Sequence, residues 1–317
     1  MTATPRPLGW EPPVADGQDI RLPGAGIELG ATAWPGQGLP VVLLHGLASQ
    51  RRFWNLVVRR LAGVPVLALD ARGHGDSAQP DTGYDLATVA DDVVSAMRAA
   101  GLQRAVVAGH SWGGAVALTV AARHPELVAG VVAVDGGFAE PGRGEDPAVV
   151  RKRLEPPRFA LPAAELTTRM AQGPLAPWWG PELAAAVLPI FAVDDDGIAR
   201  ARLPFERHMD VVDGLLALDL GALLPRVRCP AWLVSCEPVG PIAADDPAAR
   251  WVQAKADGLR RAAQLLAAPR ALRWSGALHD VPLQWPDLVA GLVRAARHDA
   301  EQHAPSDGPA GRGRTPQ

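Results

Sequence analysis

The chain has 317 residues, 48% of them apolar, and a formal net charge of −3. That length suits one large α/β domain carrying an insertion, or two small domains. The mixed charge excludes a polyanion-binding surface, and with it nucleic acid as a partner. No run approaches the roughly 18 apolar residues of a membrane span, and the opening residues hold no leader of signal-peptide type.

Residues 1–18 are Pro-rich and predict an irregular arm. The stretch 19–36 alternates apolar and polar residues around a glycine turn, which predicts an antiparallel hairpin. "LPVVLLHG" (39–46) is a continuous apolar run, as in a strand buried on both faces. A helical pattern follows over 50–62, then a strand at 65–70, a helix at 86–101, a strand at 104–111, a helix at 113–125 and a strand at 128–136. That beat predicts a mostly parallel, doubly wound sheet with helices on both faces. It stops near Phe138. Residues 139–225 read as a helical, loop-rich insertion with a short Asp-Gly turn within 193–203. The beat resumes with a strand at 229–236, a helix at 248–267, a strand at 269–276 and a final helix around 286–297. The tail, 299–317, has the composition of a disordered segment.

Lysine occurs only at Lys152 and Lys255, a scarcity read as nucleotide bias rather than function. Cys229 and Cys236 fall in one strand, more than ~20 Å apart at ~3.3 Å per residue, beyond disulfide reach. A reduced, cytoplasmic protein is the expectation.

"GHSWGG" (109–114) follows an apolar strand and opens a helix, the context that a nucleophile elbow of the form G-x-S-x-G requires. Ser111 must occupy a sharp, strained turn, so Gly109 and Gly113 must lack side chains. The helix end beside it offers unpaired N–H groups to a developing oxyanion. No spacing of Cys, His and Asp suggests a metal site, and no dinucleotide or phosphate-loop fingerprint is present, so no cofactor is expected.

Four ordered segments, "LLHGLAS" (43–49), "LDARGHGDS" (69–77), "GHSWGG" (109–114) and "SGALHDVPLQWPD" (275–287), resemble those of the α/β-hydrolase-fold superfamily. The resemblance covers about residues 20–298 and points to the lid-bearing group of serine esterases, lactonases and perhydrolases. It implies Ser111 as nucleophile, His279 as general base, and an oxyanion hole made by the backbone N–H groups of Leu47 and Trp112. It implies an α/β-hydrolase core over 19–138 and 226–298, with 139–225 as a helical lid. An aspartate nucleophile would have implied dehalogenase or epoxide hydrolase chemistry; serine argues against both.

The triad's acid is the open point. Most relatives carry it after the strand occupied here by "AWLVSC", where this chain has Val239. The substitutes are Glu237, two residues early; Asp245 or Asp246, several residues late; and Asp135, which ends the preceding strand. Relatives of the haloalkane dehalogenases carry their acid at that strand end. Neighbouring strands lie ~4.8 Å apart, so Asp135 emerges one strand from Ser111. It is the preferred acid, with Glu237 as the alternative.

Trp54, Phe138, Trp178, Trp179 and His208 are candidate substrate-binding residues. For Trp178 and Trp179 lid packing serves equally well, and His208 reads more readily as structural. His45 and His74 sit in turns where ring nitrogens commonly satisfy backbone groups. The expected activity is that of a carboxylesterase-like serine hydrolase cleaving an ester, thioester or lactone of a medium-sized apolar substrate through an acyl-enzyme. The alternatives are a non-hydrolytic enzyme of the same fold (perhydrolase, lyase or cyclase) and a non-catalytic small-molecule-binding protein. The expected partner is a small-molecule substrate, not nucleic acid or membrane, with a homodimer left open.

Overall fold

A computed structural model describes residues 17–141, 143–240 and 247–303. The chain opens with the antiparallel hairpin β1 (Gln18–Pro23) and β2 (Glu28–Trp34), then enters β3 (Val41–Leu44). A 3-10 turn at Arg51–Trp54 leads into the short helix α1 (Asn55–Val58). There follow β4 (Val66–Leu69), α2 (Leu86–Ala99), β5 (Ala105–His110), α3 (Trp112–Arg123) and β6 (Val128–Val134). The insertion contains α4 (Pro147–Arg153), β7 (Leu161–Pro162), α5 (Ala163–Ala171), α6 (Pro181–Val187), β8 (Phe191–Val193), β9 (Ile198–Ala201), α7 (Phe205–Leu216) and α8 (Leu220–Leu223). The core is completed by β10 (Ala231–Glu237), α9 (Pro247–Leu265), β11 (Pro269–Ser275), α10 (Val281–Gln284) and α11 (Pro286–Gln302).

The main sheet has the order β1-β2-β4-β3-β5-β6-β10-β11. Its hairpin is antiparallel, and the strands from β4 to β11 run parallel to one another. Every residue of β3, β4, β5 and β6 is buried, so their apolar runs feed two cores by strict alternation. Val42, Leu44, Val107 and Ala133 face α2, α3 and α9. Val41, Leu43, Val106 and Val134 face α1 and α11. Both sheet faces are therefore covered, and the carboxyl ends of β3, β5, β6 and β10 converge on one edge.

The insertion is less purely helical than the sequence suggests. It holds a three-stranded antiparallel sheet, β7-β9-β8, whose hairpin turns at Asp194–Gly197, within the predicted Asp-Gly turn. These strands are two to four residues long, too short for an apolar run to announce them. The insertion is fastened to the core by polar contacts. Gln50 Nε2 donates to the Ala186 carbonyl at 3.1 Å, and an Arg202 nitrogen donates to the Gly75 carbonyl at 3.0 Å.

Two boundaries differ from expectation. The stretch 50–62 opens in the tighter 3-10 form, where Asp70 accepts from both the Arg51 N–H and the Arg51 guanidinium. At the other end α11 continues to Gln302, so residues 299–302 are helix rather than tail. Asp299 is held there by Trp232 Nε1 at 3.1 Å and by an ion pair with Arg270. Residues 304–317 of the predicted tail, residues 1–16 of the arm, and Asp245 and Asp246 lie outside the described residues. No helix among the described residues is long and apolar enough to cross a membrane.

Candidate active site

Ser111 sits between β5 and α3 with φ 54° and ψ −121°. The glycines around it explain how that geometry is reached. A methyl group at Gly109 would overlap the Gly113 backbone, one at Gly113 would overlap the carbonyls of Leu44 and His45, and one at Gly136 would overlap Ser111 itself. The non-glycine residues with positive φ among those described are Ala48 (57°), Ser111 (54°) and Asp135 (49°). All three lie just past the carboxyl ends of sheet strands.

Three side chains meet at this edge. His279 Nδ1–H donates to Asp135 Oδ2 at 2.7 Å, and the Ser111 hydroxyl lies 3.0 Å from His279 Nε2. The assignment is internally consistent: a proton on Nδ1 leaves Nε2 as the acceptor. The Asp135 carboxylate is fully buried, whereas half of the His279 side chain is exposed. Burial penalises the Asp135 anion, but the His279 hydrogen bond and the Lys255 charge outweigh it and hold its pKa below the usual carboxylate value. Burial likewise disfavours the His279 cation. Its hydrogen bond to Asp135, with the charges of Asp135 and Asp280, reverses that and raises its pKa above 6.5.

The N–H groups expected to form an oxyanion hole lie in the loop after β3 and at the start of α3. Gly46 packs close to Ser111, so Leu47 begins beside that serine, and Trp112 opens α3 directly after it. Neither N–H meets a protein acceptor among the described residues. Two neutral histidines brace this loop. His45 Nδ1 donates to the Gly46 carbonyl at 2.7 Å, and its Nε2 accepts from Ala71 N at 3.0 Å. His74 Nδ1 donates to the Arg72 carbonyl at 2.8 Å, and its Nε2 accepts from Ala48 N at 3.2 Å. Burial pushes their pKa values down to about 4 and about 3. His110 Nε2 donates to the His279 carbonyl at 2.8 Å, pinning the loop that carries His279. Gln284 closes the same loop, accepting from Leu278 N at 2.6 Å and donating to the Gly276 carbonyl at 3.1 Å.

Glu237 stands apart from this set. Both its oxygens are engaged by Arg273, at 2.6 and 2.7 Å, and Val239 is 82% exposed. The candidate pocket residues scatter. Trp54 and Phe138 are 0% exposed and belong to the two cores, so neither offers surface to a cleft. The sequence offers both as candidate pocket residues, but their side chains point into the cores instead. His208 is buried within the insertion, its Nε2 3.2 Å from the Leu154 carbonyl. Trp179 is partly buried against the α1/α11 core. Trp178 lines a cavity of about 610 Å³ with Leu56, Arg60, Trp285 and Leu288, a lining that includes neither Ser111 nor His279.

Sequence reasoning missed Lys255. Its ammonium contacts both Asp135 oxygens at 2.9 and 3.1 Å and donates to the Cys236 carbonyl at 2.6 Å, while Cys236 N donates to Asp135 Oδ1 at 2.7 Å. The one signal for it was its rarity. Among the described residues, His110, His279 and Asp280 bring ligand-type atoms within 4.8 Å of one another. Both His279 nitrogens already face Asp135 and Ser111, so a metal ion there would compete with that chain.

Comparison with known proteins agrees with this architecture. Residues 40–210 match the family described as alpha/beta hydrolase fold. The chain is 38% identical over 101 residues to 2-(acetamidomethylene)succinate hydrolase of Mesorhizobium japonicum, covering 32% of this chain and 36% of that protein. It is 40% identical over 112 residues to Epoxide hydrolase B of Mycobacterium tuberculosis, covering 34% of this chain and 31% of the relative. The chain thus spans about a third of the length of these curated relatives. Among solved structures, E-2-(acetamidomethylene)succinate hydrolase superposes with a TM-score of 0.71 at 23% identity, covering 88% of this chain and 98% of the other. The thioesterase domain from the curacin biosynthetic pathway superposes at 0.68 and 20% identity, covering 88% and 99%. At such identities the likeness is one of fold. With more than half its length matched by the family, the chain belongs to the α/β-hydrolase fold family.

Proposed function

We propose that this protein is a serine hydrolase of the carboxylesterase type, acting on an ester, thioester or lactone through an acyl-enzyme. The observation that carries this reading is the hydrogen-bonded chain from buried Asp135 through His279 to Ser111, with Ser111 on a strained turn at a helix N-terminus. In the proposed mechanism Ser111 Oγ attacks the acyl carbon as its proton passes to His279 Nε2. The N–H groups of Leu47 and Trp112 receive the oxyanion. His279 then protonates the leaving group as the bond to it breaks. Water, deprotonated by His279, cleaves the acyl-enzyme and releases the acid, and the proton returns to Ser111.

Asp135 serves as the triad's acid, fixing the imidazole tautomer and stabilising the imidazolium. The similar proteins include an epoxide hydrolase, but a neutral hydroxyl at position 111 suits acyl transfer rather than carboxylate attack on an epoxide. The insertion, residues 139–225, acts as a lid, a reading supported by its tethers from Gln50 and Arg202. The proposed substrate is medium-sized and largely apolar, and enters between that lid and the sheet edge.

A p-nitrophenyl acyl ester should give a burst of p-nitrophenol with wild type and none with Ser111→Ala. Equal turnover by the two proteins would overturn the reading. Run in ¹⁸O-water, hydrolysis must place one solvent oxygen in the released acid.

A further inference from the structure

Asp135 has more partners than a histidine-orienting acid requires. Oδ2 faces His279 and Lys255, and Oδ1 accepts from Lys255 and from Cys236 N. The Lys255 side chain is 8% exposed and the carboxylate 0%. The chain's other lysine, Lys152, pairs with Glu155 at the surface, its side chain 76% exposed. A lysine ammonium is rarely buried unless it is paired, because desolvation penalises the charge. Here it is paired, and its partner is the proposed acid of the triad.

We propose that Lys255 is a positioning residue for the triad: it locks the Asp135 carboxylate in place, keeps it ionised in a dry site, and moderates the basicity that Asp135 confers on His279. This rests on the serine-hydrolase reading for its catalytic consequence, though not for its electrostatics. Asp135 from the end of β6 and Asp280 from the same loop draw the His279 pKa up, while Lys255 from α9 draws it down. His110 from β5, with its ring 4.7 Å away, is held neutral, its pKa pushed down to about 3 by burial. The Cys236 thiol is kept protonated by burial beside Asp135. The Glu237 charge is met by Arg273. Lys255, 2.9 Å from the carboxylate, is thus the basic side chain of this set that faces Asp135. His279 must be neutral to accept the Ser111 proton, so loss of the Lys255 charge should move the acid limb of activity to higher pH.

The test compares wild type with Lys255→Gln, which keeps a donor without charge, and Lys255→Arg, which keeps the charge. The His279 imidazole is titrated by NMR, and Ser111 labelling by a fluorophosphonate probe is followed against pH. In Lys255→Gln the His279 pKa should rise by about one pH unit, with labelling on the acid limb slowed by about tenfold per unit. Lys255→Arg should return both toward wild type. A folded Lys255→Gln protein with an unmoved His279 pKa would overturn the inference. So would a loss of labelling equal at every pH. Should Lys255→Gln fail to fold, the Asp135→Asn/Lys255→Gln double variant leaves no buried charge unpaired. Its His279 must then titrate higher than in Asp135→Asn alone, and an equal value overturns the inference. Wild type that does not label would overturn the serine-hydrolase reading instead, while the NMR titration still decides the role of Lys255.

Discussion

Asp135 and Glu237 end adjacent parallel strands, yet only one faces the imidazole. Glu237 pairs in register with Ser275 across β10 and β11, which places Arg273 two residues back on the neighbouring strand and within bidentate reach. Asp135 leaves β6 with φ 49°, turning its carboxylate under the His279 loop. Asp135→Asn should therefore lower kcat for a p-nitrophenyl ester by up to ~10⁴-fold through the wrong imidazole tautomer. Glu237→Gln should leave kcat nearly unchanged, since its ion pair with an Arg273 side chain 66% exposed contributes little. Steady-state kinetics of the two variants separates them. The sequence preferred Asp135 on its resemblance and its place one strand from Ser111, but kept Glu237 open as the alternative. The choice depends on strand register and on an arginine that captures one candidate, neither of which local pattern encodes. Lys255 was hidden for a related reason: it lies 120 positions from Asp135, in a helix whose pattern is polar.

The elbow is the element on which the site depends, and its glycines act through backbone contacts. A methyl group at Gly109 meets only main-chain atoms of Gly113 and Gly114, which cannot rotate aside as a side chain would. Gly109→Ala should destabilise the fold by about 1–3 kcal/mol and abolish fluorophosphonate labelling although Ser111 is retained. A thermal melt and a labelling gel together check this, and normal labelling would contradict it. The central strands were legible because each is an apolar run bounded by turn residues, and the hairpin of β1 and β2 because it alternates. The small sheet of the insertion was not, its strands being shorter than any periodicity can register. Trp54 and Phe138 show the complementary limit. A large aromatic offered as a pocket wall can prove to be core, and only its direction in space decides.

Across the whole molecule, the buried histidines set the response to acid. His45, His74 and His110 have folded-state pKa values of about 4, 3 and 3 against an ordinary 6.5, burial being the main cause of each. The unfolded chain therefore takes up protons first as pH falls below 6.5, and stability declines until the folded values are reached. Asp135 and Asp76, lowered from 3.8, contribute stability that is lost only as pH falls through their folded values, below that range. His279, raised above 6.5, works in the opposite sense, its contribution being complete below 6.5 and lost as pH rises through its folded value. His208, lowered from 6.5 in the same direction by burial, adds to the three, and the His279 contribution is already complete below 6.5, so Tm should decline steadily from pH 6.5 toward pH 4. A Tm that stays flat across that interval, measured by circular dichroism, would show that these rings are not buried and neutral.

The positive-φ residues concentrate the molecule's unrelaxed backbone at the carboxyl edge of the main sheet. Each such conformation costs on the order of 1–3 kcal/mol, and the same price is not met at any other non-glycine residue among those described. This sets a trade-off for anyone selecting more robust variants. Glycine would relax the chain at Ser111 and Asp135, but there it also deletes the group proposed to act. Ala48 alone can be relaxed without removing a reacting atom, so thermostability and chemistry are separable at that one position and opposed at the other two.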